Sequence, residues 1–178
     1  MRKKPCRFTD LIQLRLTHDA AQGRLGNQGR GFQIILHLDD GRHRIHLQVV
    51  AEVRRPIGRD RAIFVRLGAC DEMTGGLTLD EGCATAARLA DAGVDLISVS
   101  GGLQGSELTG RGPGYFVPYA AAIKSFVSIP IMVTGGIADP VLADRIVRNG
   151  QADLIGIGRA MLNDAAWARK AIEVLHAR

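Results

Sequence analysis

Aromatic residues are scarce in this chain, 4% of 178 residues, with one Trp, two Tyr and five Phe. The shortage matters most at the front, where the charge is basic. Residues 1–61 carry 13 Lys/Arg against 6 Asp/Glu, a local balance of +7, whereas the remainder sums to −2. A basic segment invites nucleic acid as a partner. Here Phe8 and Phe32 are its only aromatic residues, with no stacking pattern and no nucleic-acid motif. No nucleic-acid partner is expected. Cysteine is also sparse: Cys6, Cys70 and Cys83 form an odd, widely spaced set. Such a set argues against a disulfide frame and for reduced thiols in a cytoplasmic setting. Cys70, close to a strand end, reads either as a reactive thiol or as a plain small residue. No apolar run is long enough to span a bilayer, and the basic start Met1-Arg-Lys-Lys-Pro5 is not followed by a signal-peptide core. No membrane partner and no metal site are expected.

What the chain does have is the composition of a globular domain with a core, 46% hydrophobic and 23% charged. Two glycine pairs stand out in its second half. Ile131-Met-Val-Thr-Gly135-Gly136 and Leu154-Ile-Gly-Ile-Gly158-Arg159 each close a short apolar strand and open a helix. Glycine after a strand lets backbone N–H groups approach a phosphate. A helix N-terminus adds a positive dipole end, and Arg159 adds a permanent cationic fork. Two such turns on consecutive parallel strands match the phosphate cradle of a (β/α)8 barrel. Ordinary strand–helix turns are the plain alternative.

From Ile63 onward the pattern is regular. Strands are expected at Ile63–Arg66, Leu96–Ser100, Ile131–Thr134 and Leu154–Ile157. Thr78-Leu-Asp-Glu81 reads as a capping box opening a helix with Leu79, Cys83, Ala86, Ala87 and Ala90 on its apolar face, ended by Gly93. A helix near Val117–Lys124 follows a glycine-rich loop. Asp139-Pro140 reads as N-cap and first helical position, with Gly150 closing that helix. A final helix is expected from Asn163 to Leu175, with Trp167, Ile172 and Leu175 available for burial. Four strand–helix repeats imply parallel strands with right-handed crossovers, and continuously apolar strands imply burial on both faces. Four units make half of an eight-unit barrel, or a small open sheet.

The front leaves two readings open. Phe32–Leu38, Asp39-Asp-Gly41 and Arg42–Val50 fit a hairpin with an Asp-Gly turn. Ile45, Val49, Val50 and Val53 also fit one face of a helix leading into Arg54-Arg55.

The chain resembles the old yellow enzyme family of FMN-dependent oxidoreductases. The resemblance runs from Val49 to Leu175 through Phe64-Val-Arg66-Leu, Asp71 with Gly75-Gly-Leu-Thr78, and Gly93-Val-Asp-Leu-Ile-Ser-Val-Ser-Gly-Gly102. It continues through Val133-Thr-Gly-Gly-Ile137, Gly150-Gln-Ala-Asp-Leu154 and Gly156-Ile-Gly-Arg159. It implies the C-terminal half of a (β/α)8 barrel, about four parallel strands with outer helices. The expected division is a poorly defined segment 1–48 and a half-barrel 49–178. The resemblance also implies that Arg66 lies beside the flavin ring and that Gly135, Gly136, Gly158 and Arg159 hold the FMN phosphate. Gly101 and Gly102 read as mouth-lining residues or as a plain loop. Upstream, in one register for the family's histidine pair and catalytic tyrosine, the positions hold Arg15, His18 and Ala20; a second register, on Ala20-Ala-Gln-Gly-Arg-Leu25, keeps none of the three. His18 alone remains as a candidate catalytic, substrate-contacting residue, with a solvated loop histidine as the alternative.

Two functions follow. One is an enzyme in which FMN takes hydride from NAD(P)H and passes it to an electrophilic alkene or another small-molecule acceptor, without the tyrosine acid. The other is a non-catalytic half-barrel that binds phosphate weakly or assembles with a partner. An open half-barrel has unpaired edges and an uncovered inner face, expected at Phe64, Ile97, Ile131 and Ile155. A homo-oligomer or a complementing half-barrel is the expected assembly.

Overall fold

A computed structural model of the chain describes residues 32–36, 42–103 and 111–177. All lie in the unit from Gly31 to Arg178. The described strands are β1 (Phe32–Leu36), β2 (Ile63–Gly68), β3 (Leu96–Ser100), β4 (Ile131–Val133) and β5 (Leu154–Ile155). The described helices are α1 (Arg42–Ile57), α2 (Leu79–Asp91), α3 (Val117–Lys124), α4 (Pro140–Arg148), α5 (Arg159–Asn163) and α6 (Trp167–His176).

The strands pair in parallel in strict chain order, β1-β2-β3-β4-β5. A doubly wound open sheet reverses its order at a switch point. No reversal occurs among these strands, so successive right-handed crossovers keep the helices on one side. The result is part of a (β/α) barrel wall rather than a nucleotide-binding open sheet.

One more strand is present than the four expected. Phe32–Leu36 pairs in parallel with Ile63–Leu67, and residues 42–57 form a helix. Parallel pairing excludes the hairpin and makes β1–α1 another strand–helix unit. The expected division at 48/49 therefore falls inside α1. The buried face of α1 is also rotated from the expected one. It is centred on His46 and Val50, with Leu47, Val53 and Ile57 packed beside them, while Ile45 is exposed.

The capping box of α2 forms as expected, with Thr78 Oγ1 accepting the Glu81 N–H and Glu81 accepting the Thr78 N–H. Its buried face includes Gly82 and Leu89 with Cys83 and Ala86. Gly82 is where α2 presses closest to the sheet: a Cβ there would lie 2.1 Å from the Ala69 carbonyl oxygen. Asp139 caps α4 by accepting the Val141 N–H at 3.0 Å. The single final helix expected from Asn163 is instead two helices. They break at Asp164, which accepts the N–H of Ala166 on its side chain and that of Trp167 on its carbonyl. Ile172 is exposed, and Ala171 is the buried residue of α6.

Side chains alternate across the sheet. Val65, Leu67, Ile97, Val99, Ile131 and Val133 are fully buried and share a core with Leu89, Ala120, Ile123 and Ile146 of the helices. The opposite face carries Phe64, Arg66, Ser98, Met132 and Leu154, which the register sets side by side. The uncovered face expected from sequence was thus correct at Phe64 only. Ile97 and Ile131 belong to the helix side, because a shift of one residue changes the face.

Two matching clamps hold the N-terminal ends of the strands. Asp95, just before β3, accepts the Ile63 N–H at 2.7 Å and an Arg54 N–H at 2.7 Å, while its own N–H donates to Ile63 O at 2.9 Å. Arg54 also donates to the carbonyls of Gly58, Arg61 and Gly93. Asp153, just before β5, accepts the Ile131 N–H at 2.8 Å and a Lys124 N–H at 2.5 Å, and its N–H donates to Ile131 O at 2.8 Å. Each clamp joins a helix end, the first residue of the strand after it, and the start of the next strand. Burial pushes the Asp95 carboxyl pKa up, but the Ile63 N–H and Arg54 outweigh it and leave the group below its ordinary value. Asp153 shows the same balance, with burial outweighed by Lys124 and the Ile131 N–H.

A depressed folded-state pKa contributes stability above the unfolded value, about 4, and that contribution fades as pH falls through the folded value. Asp95→Asn is therefore expected to lower stability at pH 7, by no more than about 1 kcal/mol because solvent screens the half-exposed carboxylate. It should also flatten the loss of stability below about pH 4. Urea melts at pH 7 and pH 3 test this; a variant with the wild-type acid dependence would remove Asp95 from the stability account.

Candidate functional site

At the other end of the strands the sheet is stitched by hydroxyl groups. Ser100 Oγ donates to Leu67 O at 3.4 Å, and Thr134 Oγ1 donates to Val99 O at 3.2 Å. Each closing hydroxyl thus binds the preceding strand. Beyond this seam lies a cavity of about 590 Å³. It is lined by Arg66 from β2, by Thr134, Gly135 and Gly136 after β4, and by Gly158 and Arg159 after β5. The five candidate cofactor-binding residues, Arg66, Gly135, Gly136, Gly158 and Arg159, are brought to one cavity from three strands. His18 lies outside the described residues, as does Ala20.

The lining holds two guanidinium groups and, among the described residues, no Asp or Glu. Arg66 is half-buried and makes no hydrogen bond or ion pair with any described residue. Arg159 is exposed, and its Nη2 donates to the Tyr115 hydroxyl at 3.3 Å.

The helix dipoles expected at the two glycine turns are not the source of positive potential. α5 has only five residues, and α4 starts at Pro140 with its first turn capped by Asp139. Neither Asp139 nor Pro140 lines the cavity. The turns themselves face it. Gly135 (φ +110°) and Gly136 (φ +66°) both occupy the left-handed region that favours glycine.

Tyr115 is the residue that sequence reasoning missed. Its ring lies against the Gly135–Gly136 turn, such that a Cβ at Gly135 or Gly136 would come within 2.9 Å or 2.8 Å of it. It packs edge-on to Phe116 with ring centres 4.6 Å apart. Gly114, just before it, donates its N–H to Gly135 O at 2.8 Å. The glycine-rich loop before α3 was readable as a loop, but nothing local tied its end to a glycine pair twenty residues downstream.

Asp71 has a structural place. Buried, it accepts the Leu77 N–H at 2.7 Å and the Leu103 N–H at 2.8 Å, joining the loops after β2 and β3. Gly102 packs on its carboxylate, and neither Gly101 nor Gly102 lines the cavity. Cys70 and Cys83 are free thiols; burial, then Asp80, pushes the Cys83 pKa up. Among the described residues no group of three or more His, Cys, Asp or Glu side chains could hold a metal ion.

A family model, that of the NADH:flavin oxidoreductases and NADH oxidases, matches residues 39–177. The chain belongs to this family. An NADH oxidase of Thermoanaerobacter brockii is 35% identical over 137 residues, 74% of this chain and 21% of that protein. An NADPH dehydrogenase of Bacillus pumilus is 40% identical over 116 residues, 65% of this chain and 34% of that protein. The Bacillus subtilis NADPH dehydrogenase is 34% identical, over 77% of this chain and 40% of that protein. The chain thus spans between a fifth and two fifths of these relatives. Among solved structures, a 2-naphthoyl-CoA reductase aligns with a TM-score of 0.79 at 20% identity, covering 97% of this chain and 30% of that one. The 6-hydroxypseudooxynicotine amine oxidase of Pseudomonas geniculata aligns at 0.74 and 20% identity, covering 97% and 30%. These distant likenesses support the partial-barrel fold.

Gly135→Ala tests the packing at the turn. It would place a side chain at a positive φ and against two rings, and is expected to destabilise the fold by about 1–3 kcal/mol. Thermal melts and the near-ultraviolet circular dichroism of the displaced Tyr115 check this; wild-type values for both would contradict the geometry.

Proposed function

We propose that this chain carries the flavin-holding face of an FMN-dependent NAD(P)H oxidoreductase of the old yellow enzyme type. The observation that supports it best is the cavity's charge. Two guanidinium groups share a lining that has no Asp or Glu among the described residues, and one of them, Arg66, is half-buried without a polar partner among those residues. Burying a cation costs free energy unless an anion or strong acceptor meets it. FMN fits this donor set, with a phosphate at one end and an electron-rich ring edge at the other. When bound, FMN supplies hydride acceptance from NAD(P)H and hydride donation to an electrophilic alkene or other small-molecule acceptor.

The residues divide that work. Arg159 and the Gly135–Gly136 turn hold the phosphate, with Gly158 leaving room beside the guanidinium. Arg66 offers a fixed positive charge where negative charge accumulates at the ring edge. No described helix is long and apolar enough to cross a membrane. The free thiols support a reducing, cytoplasmic setting.

Calorimetric titration separates the two arginines. Arg159→Ala should weaken FMN and inorganic phosphate by tenfold or more while sparing riboflavin, at about 1.4 kcal/mol per tenfold. Arg66→Ala should weaken FMN and riboflavin alike. Unchanged FMN affinity in both variants would sink the flavin reading.

A second reading, a half-barrel that works only in an assembly, is supported by apolar residues left exposed on the sheet face away from the helices. Phe64 and Leu154 remain 38% and 45% exposed there, with β5 only two residues long at the edge. A second copy or a complementing half-barrel would cover this face. Light scattering at micromolar concentration is expected to give a mass above that of one chain. A monomer that binds no hydrophobic dye would contradict this assembly.

A further inference from the structure

Trp167, the chain's one tryptophan, opens α6 and does not line the cavity, yet it is bonded to the cavity wall. Its indole N–H donates to Ala138 O at 2.9 Å. Ala138 ends the run 135–138, and all four of these residues line the cavity. The backbone N–H groups of Gly136, Ile137 and Ala138 donate to no described residue. Successive free amides in a turn form a concavity that suits an anion. The carbonyl side of the run, by contrast, is held at both ends. Gly114 N–H donates to Gly135 O at 2.8 Å, and Trp167 takes Ala138 O. A trans peptide is planar, with its C=O and the next N–H opposed. The first bond therefore aims the Gly136 N–H, and the second fixes the peptide plane in which the run ends. Trp167 is set in turn by the break between α5 and α6. Its backbone N–H donates to Asp164 O at 3.0 Å. The Asp164 carboxylate accepts the Ala166 N–H at 3.0 Å and Lys170 Nζ at 2.8 Å. The break that divides the last two helices thus carries an indole to the glycine turn.

We propose that Trp167 is a positioning residue for phosphate binding at the run 135–138: from outside the cavity, its indole N–H holds the turn in the shape that presents these amides to a phosphate group. An indole has one donor and no acceptor, so its bond to a carbonyl has a single sense. Without that bond the far end of a turn that begins with two glycines is freer to move. Ordering it then counts against binding, because preorganisation is lost. The inference rests on the flavin reading only in taking the ligand's anion to be its phosphate group.

Trp167→Phe keeps an aromatic ring at the start of α6 and removes the donor. Calorimetry on the full chain with inorganic phosphate, FMN and riboflavin, below the melting temperature of the variant, reads the effect. Phosphate and FMN should each bind about fivefold more weakly than to wild type, the net worth of one hydrogen bond, with riboflavin unchanged. No loss for phosphate and FMN, or an equal loss for riboflavin, would overturn the proposal. If wild type binds phosphate but not FMN, the flavin reading falls while Trp167 is still judged on phosphate; if it binds neither, both fall. A second measurement needs no variant. One tryptophan gives one indole N–H proton resonance. Saturating inorganic phosphate added to wild-type protein should shift this resonance and slow its exchange with solvent severalfold. A resonance that neither moves nor changes its exchange rate would overturn the proposal independently.

Discussion

Asp95 and Asp153 each bind at once a backbone N–H of the preceding strand and a cation from the helix before that strand. The parallel sheet depends on this arrangement. Parallel strands need long crossovers, and their ladders are slightly weaker per residue than antiparallel ones. An aspartate at the entry of a strand gives the first N–H of its neighbour a charged acceptor, and its own N–H returns a bond to the same residue. Register is thereby set at Ile63 and at Ile131. With register set, Val65, Leu67, Val99 and Val133 all fall on the helix side, and Arg66 and Thr134 fall on the side that reaches the cavity.

The two ends of the strands consequently have different duties. The N-terminal ends carry aspartate clamps whose charges are matched by Arg54 and Lys124. The C-terminal ends carry small or hydroxylated residues, Ser100, Thr134 and Gly156, and then turns that face a cavity with two arginines and no acid in its described lining. This is the division between a stabilising and a functional face that barrels of this kind show. Gly156 illustrates how tightly the functional end is drawn: a Cβ there would sit 2.5 Å from the Thr134 methyl.

Local chemistry made most of the wall legible. Leu96–Ser100 and Val117–Lys124 coincide with the observed elements, and the Thr78–Glu81 box and the Asp139-Pro140 start are in place. Each is decided within a few residues by a cap, a proline or an apolar run. The misses needed longer-range information. Whether Arg42–Val50 returns as a strand or continues as a helix depends on the pairing of β1, and both patterns satisfied the same apolar residues. Ile97 was assigned to the wrong face because a fully buried strand gives no alternation to read. At the site, glycine pairs and an arginine after strands were readable as turns. Tyr115 was not, because its contact with Gly135 is made in space. The dipole argument failed at α5 for want of length, information that a strand–turn pattern does not contain.

The strand order described above also governs how such a chain comes together. Among the described strands none is inserted between two earlier ones, so each new strand adds beside the strand that most recently preceded it. The clamps keep the same locality: Arg54 and Asp95 are 41 residues apart, and Lys124 and Asp153 are 29 apart. Loop closure over such spans costs little more than over shorter ones. Each described strand after β1 finds one pairing neighbour already synthesised when it emerges, so this part of the wall can be laid down progressively during synthesis, from β1 toward β5.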